Sequence, residues 1–255
     1  PMSTSSALPF SVLDAGFIGA SAYPIDFLFV YERGLKRAAL QRGLDQVLHD
    51  FPVLKSQLDY DEAQRCFVFV PRSDARIVID EREAGAGDGP LVAPVQTLPG
   101  EPLLRIVLTR GADHDTLGVS MSHAVADGRG YFAFLSAWCA TLRGQSYPRP
   151  DHDRAVVDAL AAIDDEGAAP LSPDEFFDRT GITWLSRRRD VLGTAPSRRE
   201  PLCPPPPPVD GASESAVLAA ACLRRFVVRR DPPAVRLSCA IDLRRRVPRL
   251  TPHFF

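Results

Sequence analysis

One stretch decides the fold of this chain: Leu117-Gly-Val-Ser-Met121, followed directly by Ser122-His-Ala-Val-Ala-Asp-Gly128. The first part is an apolar run typical of a buried strand. A helical pattern of aromatic and aliphatic residues begins shortly afterwards, at Tyr131, and continues to Arg143. A short loop between a rigid strand and a rigid helix holds a side chain in a fixed position. The stretch therefore predicts a strand–loop–helix unit that presents His123 from its loop.

Further elements are predicted on both sides of this unit. The segments Pro102 to Thr109 and Asp115 to Met121 flank a short polar connection, which indicates a β-hairpin. A leucine stripe predicts a helix over residues 35–50 that ends before Pro52. The remaining patterns predict strands at 25–31, 67–70, 76–79 and 234–242, and helices at 151–163, 172–178 and 214–225.

Composition excludes several classes of partner. The formal net charge is −2 and the hydrophobic fraction is 45%, so there is no electrostatic reason to expect nucleic acid or an anionic membrane surface. No apolar run reaches the length of a membrane span, and the start lacks the pattern of a signal peptide. Five cysteines without a C-x-x-C pair favour free, buried thiols in a reducing compartment. A cytoplasmic location is expected.

A proline-rich segment divides the chain. Five consecutive prolines, Pro204 to Pro208, exclude a helix or a central strand and indicate an extended linker over residues 193–213. The organisation expected is a first domain at residues 1–192, the linker, and the start of a second domain at residues 214–255.

The loop residue His123 is the candidate catalytic group. An imidazole has a pKa close to neutrality and suits a general base, and Gly128 would allow a tight exit from the loop. On spacing alone, His123 and Asp127 are more often a surface pair than a catalytic one. Neither a metal cluster nor a G-x-S-x-G elbow nor a glycine-rich phosphate loop accompanies them. No metal or permanently bound cofactor is expected.

Seven segments follow one another in a distinctive order. They are Leu8 to Asp14, Leu40 to Leu58, Pro102 to Leu104, Ser122 to Gly128, Phe134 to Gly144, Pro150 to Arg154, and Asp242 to Phe255. The fourth matches the pattern H-x-x-x-D-G, and the last contains D-x-R followed by Pro248. In this order they resemble the N-terminal half of the BAHD acyltransferases, within the larger superfamily of chloramphenicol acetyltransferases and condensation domains.

This resemblance implies a fold and an activity. The fold is α/β, a chloramphenicol-acetyltransferase-like domain with a mixed β-sheet flanked by helices, one of two such domains. The activity is transfer of an acyl group from acyl-CoA, as co-substrate, to a hydroxyl or amine of a small-molecule acceptor. His123 would act as the base, without an acyl-enzyme. Asp127, Gly128, Asp242 and Arg244 would be structural residues at the site, with Asp127 paired to Arg244.

The resemblance leaves alternatives open. Condensation domains, which use thioesters bound to a carrier protein, usually carry a second histidine where this chain has Ser122, which favours free acyl-CoA. A non-catalytic binding protein of the same fold is the third possibility. The family's second half, with its D-F-G-W-G segment, has no counterpart in this sequence. A second polypeptide or a missing C-terminal half is therefore expected to complete the enzyme.

Overall fold

The computed structural model describes residues 14, 16–19, 22–63, 66–72, 74–85, 90–153 and 253–254. All of them belong to one compact unit. The predicted linker, the helices and strand predicted beyond residue 153, and the site residues Asp242 and Arg244 lie outside the described residues. The predicted domain boundaries therefore stay predictions.

The described part of the chain contains six strands, two α-helices and one short 3₁₀-helix. In chain order they are β1 (Ile25–Glu32), α1 (Arg37–Val47), the 3₁₀-helix Pro52–Lys55, β2 (Ser56–Asp61), β3 (Cys66–Pro71), β4 (Asp80–Glu83), β5 (Leu104–Arg110), β6 (His114–Met121) and α2 (Gly128–Leu142). The predicted strands at 25–31 and 67–70, the hairpin and both helices are confirmed, with shifted ends.

The main sheet has the strand order β1-β6-β5-β4, and a separate hairpin pairs β2 with β3. Strand β6 lies between two antiparallel neighbours, with Met121 opposite both Ile25 and Leu104. Strand β4 runs parallel to β5. The sheet is therefore mixed, as the resemblance implies, and the His123 loop follows β6, one of its two central strands.

Both helices pack on one face of this sheet because each carries an apolar stripe. Leu44 of α1 and Phe134 of α2 are fully buried in the core. The indole Nε1 of Trp138 donates to the carbonyl of Leu40 at 3.1 Å, which joins the two helices. Phe134 and Trp138 belong to the core, whereas Cys139 is an exposed free thiol and not a buried one as expected.

Residues 90–98 cross the opposite face of the sheet. A Cβ atom at Gly118 would overlap the carbonyl oxygen of Leu91, so only glycine allows this close approach. The backbone N–H of Val95 donates to Ser120 Oγ at 2.8 Å. On the same strand, Thr116 is buried, and its hydroxyl has no hydrogen-bond partner within the described residues. This segment therefore binds the end of β6 that leads into the candidate site.

One carboxylate fixes the connection between β1 and α1. Asp115 is 2% exposed and accepts hydrogen bonds from the backbone N–H groups of Gly34 and Leu35 at 3.0 and 2.9 Å. It also accepts from Arg110 Nη1 at 2.7 Å, and Arg110 reaches Glu81 at the same distance. The charge of Asp115 is thus paired and hydrogen-bonded, as a buried carboxylate requires.

The strand predicted at residues 76–79 is wrong. These residues lie just before β4, and side chains of α1 satisfy their backbone groups. Gln41 donates to the carbonyl of Ile77 at 2.9 Å and accepts from the N–H of Ile79 at 2.9 Å, and Arg37 donates to the carbonyl of Ile79 at 3.0 Å. The segment therefore has the sequence pattern of a strand but pairs with no strand in the described part of the chain.

The described C-terminal residues return to this unit. Phe254 is buried, and its ring contacts that of Phe51 edge-on at 5.0 Å between centroids. Its N–H donates to the carbonyl of Asp151 at 2.8 Å. Residues 253–254 thus contribute to the same core as the helices.

Candidate active site

The loop after β6 is anchored at its first residue. Ser122 is fully buried, and its backbone N–H donates to the carbonyl of Leu103 at 2.9 Å, which extends the β5–β6 pairing by one bond. A turn follows, because the N–H of Val125 donates back to the carbonyl of Ser122 at 3.2 Å. Ala124, Val125 and Ala126 are completely buried. Among residues 122–126, only His123 is partly exposed, so the loop buries its apolar side chains and presents the imidazole.

Asp127 ends the loop by capping α2. Its backbone is extended, with φ −82° and ψ 179°, and its Oδ1 accepts from the N–H of Gly130 at 2.7 Å. A carboxylate at this position satisfies one of the free N–H groups of the first turn and interacts favourably with the positive end of the helix dipole. The structural role expected for Asp127 at a catalytic site stays a prediction. Its predicted pairing with Arg244 lies outside the described residues.

Gly128 does not have the role that the sequence predicted. It is the first residue of α2, and its φ lies outside the left-handed region that favours glycine. An added Cβ would meet no described atom within 4 Å. The backbone therefore does not need a glycine for a tight exit from the loop. The space beside Gly128 is open.

Two aromatic rings hold the imidazole of His123. Phe17 stacks on it, with 4.0 Å between ring centroids and 5° between planes. Tyr23 contacts it edge-on at 5.6 Å, and Tyr23 is itself 65% exposed. Nδ1 of the ring is buried and has no hydrogen-bond partner among the described residues, while the side chain as a whole is partly exposed. The nitrogen available to a ligand is therefore Nε2.

A buried threonine connects the two segments that form this arrangement. The backbone N–H of Gly19, close to Phe17, donates to the carbonyl of Thr97 at 3.1 Å. The hydroxyl of Thr97 lies 2.7 Å from that of Ser122, and either one can be the donor. Sequence reasoning missed Phe17, Tyr23 and Thr97, because nothing in their local sequence marks them as neighbours of His123.

Other histidines lie away from this arrangement or serve structure. His114 is exposed at the start of β6. His152 Nε2 forms a 2.7 Å hydrogen bond with the carbonyl of Asp50. Within the described ranges, no group of three or more His, Cys, Asp or Glu side chains could hold a metal ion. Over the same residues, no helix has both the length and the apolar character needed to cross a bilayer.

Several solved structures are similar to this chain. TRI101 from F. sporotrichioides, complexed with coenzyme A and T-2, has a TM-score of 0.46 and 15% identity over 56% of this chain and 42% of the other. The starter condensation domain of rhizomide synthetase RzmA has a TM-score of 0.46 and 16% identity over 63% and 45%. The holo T3CT structure has a TM-score of 0.49 and 14% identity over 65% and 40%.

The chain spans about two fifths of the length of the solved structures it matches. No family model matches the sequence. No curated protein matches it either.

Proposed function

We propose that this chain carries the catalytic base of an acyltransferase, which moves an acyl group from acyl-CoA to a hydroxyl or amine of a small-molecule acceptor. The observation that carries the proposal is the presentation of His123. Its imidazole is the one partly exposed side chain of a turn whose other residues are buried, and Phe17 covers one ring face at 4.0 Å. Because Nδ1 is buried, we assign the proton transfer to Nε2, the other ring nitrogen.

The reaction needs only one proton carrier. Nε2 of His123 takes the proton of the acceptor O–H or N–H, and the acceptor atom attacks the thioester carbonyl carbon. The carbon–sulfur bond then breaks, and the coenzyme A thiolate takes the proton from the imidazolium. Because the acceptor attacks the thioester directly, no acyl-enzyme forms, and His123 returns to its starting protonation state. Asp127 stabilises the loop from the helix side, since its Oδ1 is hydrogen-bonded to the N–H of Gly130.

Two other functions fit the same fold. A condensation domain would take its acyl group from a carrier-protein thioester. Ser122 disfavours this function, because condensation domains usually carry a second histidine at that position. A binding protein would need no proton carrier, and the presentation of a partly exposed imidazole by an otherwise buried turn disfavours it. Acyl transfer from acyl-CoA is therefore the function we prefer. A second polypeptide or C-terminal half is proposed to complete the acceptor pocket.

Release of free coenzyme A tests the proposal. The full-length protein, supplied with a panel of acyl-CoAs and alcohol or amine acceptors, is expected to release coenzyme A only when both substrates are present. The matched comparison replaces each acyl-CoA by the same acyl group on a phosphopantetheinylated carrier protein. Turnover of the carrier-bound thioesters alone would favour the condensation function, and turnover of neither would favour binding without catalysis.

A further inference from the structure

We propose that Thr97 is a positioning residue for His123, an inference that rests on the proposed acyl transfer. Thr97 is 3% exposed, and neither of its hydrogen bonds described above involves the imidazole. Through its carbonyl it holds the segment that carries Phe17, and through its hydroxyl it holds the residue before His123. One buried residue thus joins the covering ring and the base.

The hydroxyl pair of Thr97 and Ser122 holds the backbone before and after His123. Ser122 Oγ lies 2.7 Å from Thr97 Oγ1, and it also accepts from the N–H of Ala124 at 3.2 Å. Ser122 precedes His123 and Ala124 follows it, so the pair fixes the backbone on which the imidazole is mounted. Ser122 is completely buried, where a lost hydrogen bond is not replaced by water.

The imidazole depends on this support because its own restraints are weak. Its described contacts are ring contacts with Phe17 and Tyr23, and its buried Nδ1 has no hydrogen-bond partner among the described residues. Many catalytic histidines are oriented by a hydrogen bond to the second ring nitrogen. Here the imidazole is oriented instead by the relative placement of the Phe17 segment and the His123 turn. Thr97 is hydrogen-bonded to both of them.

The test removes only the hydroxyl. In the full-length enzyme, Thr97→Val is expected to lower kcat by roughly 10-fold to 100-fold, the range that a misplacement of about 1 Å produces, while KM for acyl-CoA stays within about twofold. Thr97→Ser keeps the hydroxyl and is expected to restore kcat. Equal kcat for Thr97→Val and the wild type would overturn the proposal, and so would equal losses in Thr97→Val and Thr97→Ser.

Thr116→Val is the matched control. It makes the same chemical change on the strand that leads to His123, but the Thr116 hydroxyl is buried without a described partner. Its removal is expected to leave kcat unchanged. A loss of kcat in Thr116→Val equal to that in Thr97→Val would show a general effect of the substitution and overturn the proposal. If Thr97→Val does not fold, Ser122→Ala removes the same bond from its other end and is held to the same criteria.

A second readout needs no activity. In ¹H–¹⁵N spectra of histidine-labelled protein, the stacked Phe17 ring should change the chemical shifts of the His123 ring protons. The His123→Ala variant, which lacks these resonances, assigns them. Thr97→Val is expected to move these resonances and Thr116→Val to leave them in place. Unchanged His123 resonances in Thr97→Val would overturn the proposal. If the wild type shows no transfer but these shifts occur, the positioning role survives and the proposed function fails.

Discussion

Acyl transfer by the full-length protein is expected to fall by a factor on the order of 10²–10⁴ when His123 is replaced by alanine. The reason is that Nε2 of His123 is the proton carrier in the proposed reaction, and alanine cannot take the acceptor proton. The fold should persist, because His123 is partly exposed and its Nδ1 makes no hydrogen bond within the described residues. Initial rates at saturating acyl-CoA and acceptor, together with far-UV circular dichroism, measure both effects.

His114→Ala is the control for this loss. His114 lies at the exposed start of the same strand, β6, whose other end leads to His123. Its replacement should leave the rate within about twofold of the wild type, because it contacts neither the loop nor its aromatic neighbours. Transfer by His123→Ala at the wild-type rate would show that another group carries the proton, and the acyltransfer proposal would then lose its base.

Replacement of Asp115 by alanine is expected to lower the free energy of unfolding by about 3 kcal/mol. The reason is that the polar groups bonded to this carboxylate would stay buried or part-buried without a partner. The groups affected are the N–H donors of Gly34 and Leu35 and the guanidinium of Arg110, which is 21% exposed. Urea denaturation at pH 7 measures the loss. Asp113→Ala, two residues away and exposed, removes the same charge and should change stability by less than about 0.5 kcal/mol.

The effect of Asp115 should depend on pH. Burial alone raises the pKa of a carboxyl group, but the N–H groups of Gly34 and Leu35 and the Arg110 guanidinium outweigh it and lower the pKa of Asp115. A depressed pKa in the folded state contributes stability that is complete above the unfolded value of about 3.9 and is lost as the pH falls through the folded value. The difference between wild type and Asp115→Ala should therefore shrink below about pH 4. A difference that grows in acid would contradict this assignment.

The sequence predicted the centre of the fold better than its edges. Strand β6, the hairpin with β5, and the helix after the His123 loop were predicted because long apolar runs with clear periods leave little ambiguity. Strand β2 was missed, since Ser56–Asp61 mixes polar and apolar residues and pairs only with β3. The false strand at 76–79 has the right pattern, but Gln41 takes the backbone groups that a strand partner would use.

The candidate site was predicted only in part for a similar reason. The loop motif marks His123 and Asp127 through their spacing, and the structure places Asp127 at the N-terminus of α2, which the motif did not predict. Phe17 and Thr97 are distant in sequence from the loop, and tertiary contacts bring Phe17 to His123 and Thr97 to Ser122. The expected need for Gly128 was wrong because the turn is made by residues 122–125, before the glycine.

The distinction between base and nucleophile is the central claim, because an imidazole could also accept the acyl group itself. Intact-mass measurement of the full-length protein, quenched during the first turnover with a stoichiometric acyl-CoA and acceptor, tests it most directly. Direct transfer predicts coenzyme A release and an acylated acceptor with no change in the protein mass. A protein heavier by one acyl group, with the modification on His123 and loss of the acyl group on addition of acceptor, would contradict the account.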